Sequence, residues 1–157
     1  MMPTVDERLA SVVRALSEVV LPHLPAEASL AQEQVQLCIG HLQILRAQID
    51  QAPQFEREEL EDARALAREL MSAVCGGAAT TTALDTLAAT AAADDGDVRN
   101  ARLRINDAID ALVAAVSADG TRDSRQSLWT SILSHEAARS LKDRKWFAPY
   151  GFDTLPD

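Results

Sequence analysis

The sequence predicts an all-α fold, an up-and-down helical bundle of five or six helices with an aromatic C-terminal tail. Three observations carry that expectation. Apolar residues recur at spacings of three and four along nearly the whole chain, the period of a helix face, and no segment shows a strand pattern. The connections between these stretches are short, which favours antiparallel neighbours. Aromatic residues are concentrated at the end, four of the six lying between Trp146 and Phe152.

The first helix opens at Thr4-Val5-Asp6-Glu7, a capping-box pattern, and carries Val5, Leu9, Val12, Val13, Leu16, Val19 and Val20. It is expected to stop near Leu21, where Pro22 and Pro25 restrict the backbone, with Pro25 in the first turn of a second helix. That helix, 26–49, has a seam of Ala31, Val35, Cys38, Leu42, Leu45 and Ile49. Leu30, Leu37 and Ile44 form a further row seven apart, and Ile39 adds to the other flank. Apolar residues on so much of one circumference suit a helix that is central or shared with a partner.

A third helix begins after Ala52-Pro53 with Glu56, Glu58, Glu59, Glu61 and Asp62 at the positive end of its dipole. Its stripe is Leu60, Ala63, Ala67, Leu70 and Val74, and Gly76-Gly77 is expected to end it in a left-handed conformation. A short helix follows over 80–93, rich in Ala and Thr, with Leu84 and Leu87 as its large apolar groups. Asp97 caps the next, lined by Val98, Ala101, Ile105, Ala108, Ile109, Leu112 and Val116. The last helix, 123–143, carries Leu128, Trp129, Ile132, Leu133, Ala137 and Leu141.

The length fits one domain, a bundle over 1–145 with a docking tail over 146–157. Hydrophobic residues at 47% and charged residues at 25% argue against wholesale disorder. No apolar run is long enough to cross a bilayer, and the early Asp6, Glu7 and Arg8 do not suit a signal peptide. Two cysteines imply no disulfide framework, so a cytoplasmic protein is expected. The Arg- and Ala-rich composition suggests a bacterial source. A net charge of −9 disfavours nucleic acid and anionic lipid as partners.

Candidate chemistry is sparse. No Glu-x-x-His pair stands at the spacing of a carboxylate-bridged metal site, so neither metal nor cofactor is expected. Cys38 and His41 lie on neighbouring faces of one helix, too few for a closed zinc site and more simply read as packing residues. His135 and Glu136 are adjacent and diverge around the helix, so they form no acid–base pair. Arg99, Arg102, Arg122 and Arg125 are candidates for an anion-binding patch, set against a solvated face paired with local acids. No Gly-rich phosphate loop accompanies them. Leu30, Leu37 and Ile44, with Trp146, Phe147, Tyr150 and Phe152, are candidates for partner binding. The tail either folds back on its own helices or docks on another chain, and docking is the expectation.

Thr4-Val5-Asp6-Glu7-Arg8-Leu9, Val19-Val20-Leu21-Pro22 and a long helix ending near Leu45-Arg46 resemble the start of a family of small bacterial all-helical proteins. Members are typically encoded beside aminoglycoside-phosphotransferase-like kinases and acyl-CoA-dehydrogenase-like enzymes. The resemblance brings no catalytic residues and implies an accessory role. Two functional expectations stand together. One is a non-enzymatic interaction protein acting as a homodimer. The other is a small-molecule- or anion-binding bundle with a pocket near Cys38, His41 and the arginines of 99–125.

Overall fold

Thr4 opens the first helix through both bonds of the capping box: Glu7 N–H donates to Thr4 Oγ1 at 3.2 Å, and Thr4 N–H to Glu7 Oε2 at 2.7 Å. From there a computed structural model, describing residues 2–93 and 96–150 with Tyr150 as backbone only, is helical in every element. The expected all-α helical bundle is the observed fold class. Phe152 and the rest of the tail beyond residue 150 lie outside the described residues. Among the described residues no helix is long and apolar enough to cross a membrane. The chain divides into two compact units, Met1–Pro53 and Gln54–Asp157.

In the first unit, α1 (Val5–Arg14), a π-helical stretch (Ala15–Val20) and α2 (Leu21–His23) follow one another without a break. The stop expected near Leu21 falls after His23, where Leu24 turns extended. Leu21 N–H reaches back to Leu16 O, widening the turn ahead of Pro22, which then sits in the first turn of α2 where an N–H is dispensable. The expected start of the second helix at Pro25 is also corrected. Pro25 instead accepts from Ala28 N–H at 3.0 Å in a turn, and α3 spans Ser29–Gln48.

The seam of α3 is rotated from the expected one. Val35, Ile39, Leu42 and Ile49 are half-buried, whereas Ala31, Cys38 and Leu45 are exposed. Arg46 lies on the rotated face: its guanidinium makes two hydrogen bonds to Asp6 of α1, at 2.7 and 3.1 Å. Of the second row, Ile44 is buried while Leu30 and Leu37 are exposed.

The second unit holds α4 (Ala52–Ala73, which starts at the boundary), α5 (Ala78–Ala92), α6 (Val98–Asp119), α7 (Arg122–Phe147) and a 3₁₀ turn (Ala148–Tyr150). Its core is Leu60, Leu66, Ala67, Leu70 and Val74 from α4 and its end, Leu87 from α5, six residues of α6, and Leu128 from α7. The predicted α6 face is buried almost as written, because its small and β-branched side chains let α5 pack against it most closely of all the helices. The threonines of α5 fit a helix because Thr81, Thr82, Thr86 and Thr90 donate to carbonyls four residues back.

Two expectations about this unit are overturned. Gly76-Gly77 is not left-handed; among the described residues only Gly96 has a positive φ, 70°. Gly76 instead pairs with Gly120 in an isolated antiparallel bridge, and a Cβ on Gly76 would lie 2.9 Å from Gly120 Cα. Close approach of two connections, not turn handedness, requires these glycines. On α7 the predicted apolar face is largely exposed: Trp129, Leu133, Ala137 and Leu141 face water while Ser124, Leu128 and Ser131 are buried. Polar clamps choose the face. Ser124 Oγ accepts Cys75 N–H at 2.9 Å, and Ser131 donates to Glu69 at 2.5 Å.

Candidate functional site

Inside the second unit α4 from Gln54 to Leu66, α6 from Arg102 to Val113 and α7 from Trp129 to Lys142 line an open cleft of about 1010 Å³. Helix period places its walls: Glu58, Glu59, Asp62 and Leu66 from α4; Arg102, Ile109 and Val113 from α6; Trp129, Ile132, His135, Arg139 and Lys142 from α7. The cleft is polarised along its length. Leu66, Val113, Trp129 and Ile132 make one end apolar, and Glu58, Glu59, Arg102 and Lys142 make the other ionic.

At the ionic end Glu59 is only 7% exposed. Its Oε2 accepts from Arg102 Nη1 at 3.0 Å. Its Oε1 is shielded from solvent and has no hydrogen-bond donor. Lys142 Nζ stands 3.6 Å from that oxygen because Asp62 holds it at 2.9 Å, with Glu58 at 3.7 Å on the other side. Burial works against the Lys142 ammonium, but the hydrogen bond to Asp62 and the fields of Asp62, Glu59 and Glu58 prevail and raise its pKa. The same ammonium lies 5.1 Å from the centroid of Phe55, whose ring packs against Trp146 at 4.4 Å.

Further along, one carboxylate joins two groups of α7. Ser131 Oγ donates to Glu69 Oε1 and His135 Nε2 to Glu69 Oε2 at 3.1 Å. Hydrogen bonds from Ser131 and then His135 hold the Glu69 carboxyl below the usual range. The acid sits between hydroxyl and imidazole, whereas nucleophile activation needs the imidazole next to the hydroxyl. These three residues clamp α4 to α7. Glu136 turns away and binds Arg139 at 2.6 Å, so the adjacent His135 and Glu136 go to different partners.

No protein-family model, curated protein or solved structure matches this chain.

The residues singled out by sequence are scattered. The four arginines form no single patch, since Arg99 and Arg102 lie at the start of α6 and Arg122 and Arg125 beyond its end, roughly 30 Å along the axis. Arg99 pairs with Glu56, Arg102 with Glu59, and Arg125 donates to Val116 O and Ser117 O at the end of α6. Of these four only Arg102 lines the cleft, and neither Cys38 nor His41 does. Both of those are exposed residues of α3. Among the described residues no group of three His, Cys, Asp or Glu is placed to hold a metal ion. In the tail, Trp146 belongs to the last turn of α7 and packs on Phe55 of the same unit, while Phe147 is exposed. The sequence offered no signal for Glu59 or Glu69, whose partners lie 43 to 66 residues away.

Proposed function

We propose that this chain is a non-enzymatic accessory protein of the bacterial cytoplasm that works as a homodimer, two copies meeting through their first units. The observation that carries the reading is the emptiness of that unit's core. Ile44 is the only buried apolar side chain among the described residues up to Pro53. Val5, Val12, Val19, Val20, Leu30, Leu37 and Leu45 are 39–68% exposed. A helical hairpin with one buried apolar side chain, the rest half-buried or exposed, has little of the main term that stabilises small folds.

A second copy is the occupant that fits. These seven side chains offer on the order of 600 Å² per copy, near the ~800 Å² per partner of a standard interface. Both helices of the hairpin contribute, so a two-fold pairing yields a four-helix arrangement with like surfaces facing. The resemblance of the N-terminal segment to small bacterial helical proteins supports the accessory part of the proposal. The exposed Phe147 and the remaining tail aromatics, Tyr150 and Phe152, supply a handle for a protein partner.

Mass in solution tests this. The wild type should weigh twice the 17.0 kDa chain and Leu37→Arg should weigh 17.0 kDa with unchanged helicity. A wild type of 17.0 kDa at every concentration overturns the proposal. So does a dimer indifferent to Leu37→Arg and Leu30→Arg together.

A further inference from the structure

The geometry points to the cleft of the second unit as a binding site for a small amphipathic organic cation, an amine or guanidinium on an apolar body. Three features converge on that class. The first is the Glu59 carboxylate, more than nine-tenths buried in the cleft wall, with one oxygen that has the Lys142 ammonium at 3.6 Å but no hydrogen bond. A buried acceptor left without a hydrogen bond is costly, and a ligand N–H that takes the place of the Lys142 ammonium beside it, while Asp62 keeps that ammonium at 2.9 Å, supplies the missing bond. The second is charge. The lining carries six acids, Glu58, Glu59, Glu61, Asp62, Asp110 and Glu136, against Arg57, Arg102, Arg139 and Lys142. Arg102, Arg139 and Lys142 are held by carboxylates and Arg57 by the neutral Gln54 side chain at 2.9 Å, so acids outnumber bases in the lining and its field favours a cation.

The third feature is the apolar end. Trp129 is half exposed although it lines the cleft beside Leu66, Val113 and Ile132. An indole in that position offers a face to an alkyl chain or ring. From Glu59 to Leu66 the α4 axis rises about 10 Å, which sets the span between charged head and apolar body. An octyl chain with a terminal nitrogen has that reach.

Calorimetric titration with octylamine, using octanoate as the chain-matched anion, is the test. Octylamine should bind with a 1:1 stoichiometry and octanoate should not. Glu59→Gln should weaken the amine about tenfold or more, the loss expected for a charged hydrogen bond. Trp129→Ala removes a half-exposed side chain with little demand on folding, and it should weaken binding as well. Equal binding of amine and carboxylate, no binding of either, or amine binding unchanged in both variants would each overturn the assignment.

Discussion

Asp119 shows what a single side chain does in the second unit. It leaves the last residue of α6 and caps a different helix, accepting from Ala79 N–H at 2.7 Å, Thr80 N–H at 3.1 Å and Thr80 Oγ1 at 2.5 Å. The Thr80 hydroxyl first, then the backbone donors, hold its carboxyl below the usual 3.8. The folded state therefore binds fewer protons near that pH than the unfolded state does. Its stabilisation is complete above 3.8 and disappears as pH falls through the lower folded value. Melting curves between neutral and acid pH should show Asp119→Asn less stable than wild type at pH 7, the gap closing in acid. A gap constant with pH would remove Asp119 from the account. Local caps such as Thr4 and Asp97 were legible because donor and acceptor are three residues apart. The Asp119 cap was not, because 39 residues separate it from Thr80 and only tertiary packing brings them together.

Individual helices divide their side chains between core and water more selectively than periodicity indicates. On α7, Leu128 is 1% exposed and Leu133 is 64% exposed, although both belong to the apolar face read from the sequence. Leu128→Ala should cost about 2–5 kcal/mol by urea unfolding and Leu133→Ala less than about 0.5 kcal/mol. Similar losses would mean that α7 is rotated from the orientation described. The same contrast explains where sequence reading works. The α6 stripe is continuous and has one rotational solution, so its buried residues could be named in advance. The α3 and α7 circumferences each offer more than one apolar face, and the buried one carries polar contacts to the neighbouring helix, Arg46 to Asp6 and Ser131 to Glu69. Those polar contacts are unreadable until the neighbouring helix is in place.

The all-α architecture was legible from helical periodicity and short connections, while the cleft was not, because its walls depend on the distance between α4, α6 and α7. If two copies share an interface, melting temperature should rise with protein concentration, as mass action requires. A melting temperature independent of concentration over two decades would contradict a dimer coupled to folding. The bridge between Gly76 and Gly120 has its own consequence for the second unit. Adding a Cβ at Gly120 brings it to 2.6 Å from Val116 O, so Gly120→Ala should cost about 1–3 kcal/mol. The bridge also ties the α4–α5 connection to the α6–α7 connection, with Gly77 N–H donating to Asp119 O at 3.1 Å. The cleft lies at the other end of the same helices. A bundle joined through its backbone at one end and through side chains alone at the other behaves like a tuning fork, with its stiffness graded along the prongs. Amide deuterium uptake should be slowest around Val74, Gly77 and Val116 and should quicken toward 54–58 and 139–147, allowing a guest molecule to enter by prong opening while the pinned end stays closed.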